Sequence, residues 1–207
     1  LMEALRAIGR NAVPALQDAL TSTEWNLVYD ALLVLADIGH RPAFPHVVMS
    51  LEHADVRVRS AAIRAAVALG EPEEVAEALS HLLEETTTAT QLDCLTVLGE
   101  LKCASAVQGV IKLVSGLKSA SSDDARVRLR AVETLGYLGS NEALPCLQAL
   151  FRKRSLLSAR EGSAIRLSAV KAMAAMNTRE ARETLALVLD QESDEEVRSA
   201  IRAILVG

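Results

Sequence analysis

The chain has 207 residues, a formal net charge of -5 at pH 7 and a half-hydrophobic composition that includes one Trp, two Tyr and two Phe. Its apolar surface therefore comes almost wholly from Ala, Leu, Val, Ile and Met, which favours helices over sheets, while the acidic balance argues against a phosphate-tracking surface, which needs clustered Lys and Arg. Three cysteines, Cys94, Cys103 and Cys146, without CxxC spacing suggest neither a disulfide framework nor a zinc knuckle, and no apolar run approaches the roughly 18 residues that span a bilayer, so we expect a cytoplasmic chain with no membrane contact.

Leu1 stands inside a helical phrase, "LMEALRAIGR", and the last helical phrase stops at Gly207 short of its corner, so a piece of a longer protein is expected. The next phrase, "VPAL" from Val13 to Leu16, reads as a helix start, because proline in a first turn forfeits no intrahelical bond. "FPHV" (Phe44 to Val47) and "LPCL" (Leu144 to Leu147) repeat it, and "AEALSHLL" from Ala76 and "AVQGVIKLV" from Ala106 are the same element without proline.

A longer helix follows each of these. "DVRVRSAAIRAAVALG" (Asp55 to Gly70) is rewritten as "DARVRLRAVETLGYLG" (Asp124 to Gly139) and, more faintly, as "SAIRLSAVKAMAAMN" (Ser163 to Asn177). Aligned on the residue that opens the apolar pattern, the anchors are Val28, Arg59, Gln91, Arg128, Arg166 and Arg198, at spacings of 31, 32, 37, 38 and 32, a period that marks a stacked helical array. Eleven residues after each anchor comes a stop: Gly39, Gly70, Lys102, Gly139 or Asn177. Gly and Asn there are natural left-handed helix caps, and Lys102 is the departure.

Positions one before and three, seven and ten after the anchor carry Leu27, Ala31, Leu35 and Ile38; Val58, Ala62, Ala66 and Leu69; Val127, Ala131, Leu135 and Leu138; and Ile165, Ala169, Met173 and Met176. They form one stripe of a 3.6-residue helix, so the alternating "VRVR" is a first helical turn and not a strand. Four residues before the anchors, Glu24, Asp55, Asp124 and Asp194 complement the helix dipole or cap free N–H groups. Two units carry insertions between their helices, "SGLKSASSDD" (Ser115 to Asp124) and "RKRSLLSAREGS" (Arg152 to Ser163); the second, with basic residues around Leu156 and Leu157, is a candidate docking loop.

These phrases resemble the HEAT family, and within it the bacterial HEAT-like repeats of phycobilisome lyases. The resemblance implies an all-α fold, a right-handed α-solenoid of about six stacked helix pairs. The array fills 1–207, with a partial unit at 1–9 and units near 10–39, 40–70, 71–102, 103–139, 140–177 and 178–207. It also implies that the anchor arginines, Arg59, Arg128, Arg166 and Arg198, bond toward an acidic group of a neighbouring unit, a ladder broken where Val28 and Gln91 stand.

In such arrays the second helices line the concave side. Positions two before and two, five and nine after each anchor then make a solvent-facing stripe whose sign alternates along the chain. On it Arg57, Arg64, Asp93, Arg126, Arg130, Glu133, Tyr137 and Lys171 are the candidate protein-binding residues, Arg and Tyr being types that often dominate interface energy. Catalytic signals are absent: His40, His46, His53 and His81 begin no HExxH motif, there is no His-Glu dipeptide of the sort that ligates metal in the HEAT-repeat di-iron hydroxylases, and neither GxSxG nor a phosphate-cradling Gly loop occurs. The expected function is a noncatalytic scaffold or adaptor without a cofactor, holding another protein or another domain of its parent chain. A bilin lyase-like subunit or chaperone acting with a partner is the alternative, and a DNA-binding HEAT-like protein a more distant one that the charge opposes.

Overall fold

In a computed structural model, residues 8–84, 87–117, 121–152 and 159–206 are described. Among them the chain is helical, with no strand. The helices are α1 (Val13–Ala19), α2 (Trp25–Ile38), α3 (Phe44–Met49), α4 (Val56–Leu69), α5 (Pro72–Leu82), α6 (Thr88–Leu101), α7 (Ala106–Gly116), α8 (Ser122–Leu138), α9 (Leu144–Arg152), α10 (Ala159–Met176), α11 (Arg179–Leu189) and α12 (Glu195–Val206). Single turns of 3-10 helix lead into α1, α3 and α9. The chain forms two compact units, Leu1–Cys94 and Leu95–Gly207, with the division inside α6.

In the first unit α2 and α4 pack side by side, with α1 against α2 and α3 against α4. Their shared core holds Val28, Leu32, Leu35, Val58, Ala62, Ile63 and Ala66, all essentially without solvent contact, each large side chain contributing about 1.5–3 kcal/mol by leaving water. In the second unit α8 and α10 make the most extensive pairing, α7 and α9 flank them, and α12 closes on α10 and α11. Gly136 sets the α8–α10 approach: a Cβ built there lies 2.7 Å from the Cα of Ala172. Hydrogen at that position lets the two backbones come together.

The start signals act mostly as expected. Asp55 accepts a hydrogen bond from the Arg57 backbone N–H at 2.8 Å, and Asp194 accepts from those of Glu196 and Val197. Glu24 makes no such cap. Asp124 lies inside its helix, because the residues of the first insertion add a turn to α8 and the cap becomes Ser121, whose hydroxyl accepts from the Asp124 N–H. The helix read from Ala76 begins earlier, at Pro72, behind a capping box formed by Glu71 and Glu74. Residues 118–120 of the first insertion, and 153–158 of the second with its Leu156–Leu157 pair, lie outside the described residues.

At the stops, Gly39, Gly139 and Asn177 are left-handed, with φ of 66°, 67° and 50°. Lys102 adopts the same conformation, φ 55°, so it departs in residue type only, at a cost of about 1 kcal/mol. Gly70 is the true exception. Its φ is -90° and its backbone is extended; glycine is required there because a Cβ would strike the Phe44 ring and Val75.

Candidate functional site

The anchor positions show what holds the start of each second helix. Arg59 is only 7% exposed. Its Nη1 donates to the carbonyls of His53 (2.7 Å) and Ala54 (2.9 Å), its Nε to the Thr90 hydroxyl at 2.9 Å and its Nη2 to that of Thr87 at 3.1 Å. Arg198 does the same work, donating to the carbonyls of Leu189 (3.1 Å) and Glu192 (2.8 Å). These carbonyls close the turn before the helix and have no partner in a ladder, so a fixed guanidinium fork suits them.

Of the four arginines, Arg166 meets acidic groups of the following unit: its Nε lies 2.8 Å from the buried Glu192 carboxylate and its Nη2 3.4 Å from Asp194. Asp194 has its pKa lowered, chiefly by the hydroxyl of Ser163, which donates to it. Arg59 reaches across with hydroxyl partners instead, and Arg128 buries its Nε without a hydrogen-bond partner. Burial lowers the Arg128 pKa against the opposing charge of Asp124. The acidic ladder implied by resemblance is thus replaced at Arg59 and Arg198 by main-chain bracketing. Nor is it simply broken at Gln91, whose side-chain amide donates to the Leu83 carbonyl at 2.8 Å. Val28, fully buried, makes the one apolar substitution among the anchors.

On the solvent side, all eight candidate residues are exposed. Three members of the wider stripe are not: Ala61 and Ser168 are buried and Leu33 is half-buried, while Leu27, placed in the core by periodicity, is exposed. In the first unit Arg57 and Arg64 are brought together on α4, and Asp93 accepts the Ser60 hydroxyl at 2.6 Å. In the second, Arg126 pairs with Asp123 at 3.5 Å and Arg130 with Glu133 at 3.4 Å along their own helix, pairs worth well under about 1 kcal/mol. Tyr137, 54% exposed, lies across Gly99, and Lys171 is exposed on α10.

The most developed surface feature includes two residues that periodicity passed over. Trp25 and Tyr29 stand on α2 with ring centroids 6.4 Å apart in an edge arrangement. The Arg57 guanidinium covers the Trp25 ring at 3.4 Å from its centroid, a cation–π contact. The same guanidinium is held by both carboxylate oxygens of Asp55, at 3.0 and 2.6 Å, and this bond takes the Asp55 pKa down to about 2. With Asp30, Val56 and Arg64 these side chains line an open depression of about 580 Å³ on the first unit. The signal was present in the sequence: Trp and Tyr stand three before and one after Val28, where later second helices carry Val56 and Ser60, Thr88 and Leu92, Ala125 and Leu129, Ser163 and Leu167.

Chemical machinery is not gathered in this way. Among the described residues no three His, Cys, Asp or Glu side chains converge as a metal site. His46 shares a hydrogen bond with Gln17 and His53 accepts from the Asp55 N–H. Cys94 is buried in α6 with its thiol pKa pushed up to about 12, mainly by burial and then by the charge of Asp93, which makes it a packing residue. Among the described residues no helix is long and apolar enough to cross a membrane.

Comparison with curated proteins finds no match. Among solved structures, an engineered protein is similar over 94% of this chain and 95% of its own, at 24% identity and a TM-score of 0.56. A designed armadillo repeat protein covers 94% and 98%, at 18% identity and a TM-score of 0.51. The complex of CpcE and CpcF of phycocyanin lyase from Nostoc sp. PCC7120 covers 99% of this chain and 87% of that one, at 19% identity and a TM-score of 0.47. Likeness at these identities concerns the fold. The family model for HEAT repeats matches residues 13–99, 76–161 and 120–205; these stretches overlap to span nearly the whole sequence, and the chain belongs to the HEAT-repeat family.

Proposed function

We propose that the chain is a noncatalytic protein-binding module that holds a segment of another protein, or of its own parent chain, on the exposed faces of its second helices. The observation that carries this reading is the cluster of Trp25, Tyr29 and Arg57. A tryptophan 39% exposed, braced by an arginine that is itself locked by Asp55, is preorganised contact area, and Trp, Tyr and Arg are the residues in which binding energy concentrates. Most of the remaining sequence is spent on packing, corners and carbonyl brackets, which supports a scaffold over a transforming site.

The test is affinity capture from an extract of the source cells, with crosslinking and mass spectrometry to place the captured protein. Trp25→Ala with Arg64→Glu removes an anchor and inverts a charge, and should cut capture by roughly thirtyfold, the scale of a hot spot of about 2 kcal/mol. Arg179→Glu, on an exposed turn of α11, should leave capture unchanged. Equal capture by all three proteins refutes the proposal.

A further inference from the structure

The depression on α2 and α4 has an order of chemistry along its length, and resting on the reading above, we infer that it takes an extended peptide carrying an apolar side chain, a cation two residues away and a carboxylate four residues away. Trp25 and Val56 occupy equivalent positions, three before their anchors, and together make the apolar end; both are about 40% exposed. Asp30 lies five residues along α2 from Trp25, about 7.5 Å at 1.5 Å per residue, and Arg64 eight residues along α4 from Val56, about 12 Å. Both line the depression, and neither has an ion-pair partner among the described residues. Of the other charged groups nearby, Arg57 is paired with Asp55 and stacked on Trp25, and Asp93 accepts the Ser60 hydroxyl. An unpaired carboxylate and an unpaired guanidinium at fixed distances from an apolar end therefore define the complement.

The spacing matches a strand. At about 3.3 Å per residue, two residues of extended chain advance about 6.6 Å and four about 13 Å, so side chains at the first, third and fifth positions, all on one face, meet the apolar end, Asp30 and Arg64 in turn. Guanidinium-to-carboxylate recognition at Arg64 supplies direction and selectivity.

Trp25 is the single tryptophan of the chain, so its emission reports on the site directly. The probes are capped peptides with the core Leu-Gly-Lys-Gly-Glu, its reverse, and the charge-exchanged Leu-Gly-Glu-Gly-Lys, titrated into the full chain to 5 mM at low salt. At least one of the first two should give a saturable change in emission. The charge-exchanged peptide, or Arg64→Glu with the original, should bind at least fivefold more weakly, and the double change Asp30→Lys with Arg64→Glu should restore binding of the exchanged peptide. No saturable change with either order, or equal binding of the exchanged peptide, overturns the inference. If capture still depends on Trp25 in that event, the protein-binding reading stands without this motif; if capture is also indifferent to Trp25, both fall.

Discussion

Replacing Arg59 tests whether main-chain bracketing, and not an acidic ladder, secures the second helices. In Arg59→Met the buried stem is largely kept and the guanidinium is lost, leaving the His53 and Ala54 carbonyls without their donor. Each costs about 1 kcal/mol. The Thr87 and Thr90 hydroxyls stand 3.2 Å apart and can satisfy one another, so they add little, and the expected loss is about 2 kcal/mol. Arg59→Ala also strips two buried methylenes at about 0.8 kcal/mol each, for about 3.5 kcal/mol in all. For a chain of this length each kcal/mol lowers Tm by about 2–4 °C, so calorimetry should show falls of about 4–8 °C for Met and 7–14 °C for Ala. Arg182→Ala, on an exposed position of α11, should stay within about 2 °C of the parent. A Met variant as stable as the Arg182 control would refute the bracketing argument, and a Met variant as damaged as the Ala variant would show that the stem contributes nothing.

Two further perturbations probe packing and charge. Gly136→Ala forces a methyl against the Ala172 backbone and should destabilise by about 1–2 kcal/mol net of its helix-propensity gain, whereas Gly116→Ala, with nothing within 4 Å of the new methyl, should be neutral or stabilising by up to about 1 kcal/mol; chemical denaturation showing the same sign for both contradicts the close α8–α10 approach. The Asp55 carboxylate should titrate by NMR at about 2 against its ordinary 3.8. Because the folded value is depressed, its stabilising bond to Arg57 is fully present above about pH 4 and is lost as pH falls from 3.8 toward 2; Arg57→Ala should return the midpoint toward 3.8, and an unshifted midpoint in the parent would dissolve the clamp that braces Trp25.

The helices and their corners were legible because they depend on neighbours in sequence. The stripe over Val58, Ala62, Ala66 and Leu69 is buried as its period demands, proline opens α1, α3 and α9, and the left-handed stops at Gly39, Gly139 and Asn177 follow from residue type. The candidate surface was legible only in part. A fixed set of offsets located Arg57 and Arg64 but left out the positions three before and one after the anchor, so it passed over Trp25 and Tyr29, and it placed the buried Ala61 and Ser168 in solvent.

Local periodicity alone was enough to specify helix pairs repeated along the chain, since an apolar stripe every 3.6 residues has no stable use except burial against a neighbour. Which partner each polar group would choose was decided by tertiary contact. Gly70 serves the Phe44 ring and not a left-handed turn, Arg59 brackets carbonyls and hydroxyls where Arg166 finds carboxylates, and Arg57 lies on a tryptophan 32 positions away in the sequence. Hydrogen bonds and ring contacts act within a few ångströms of space, and side chains that close can be many residues apart, so only the packed chain brings the pairs together.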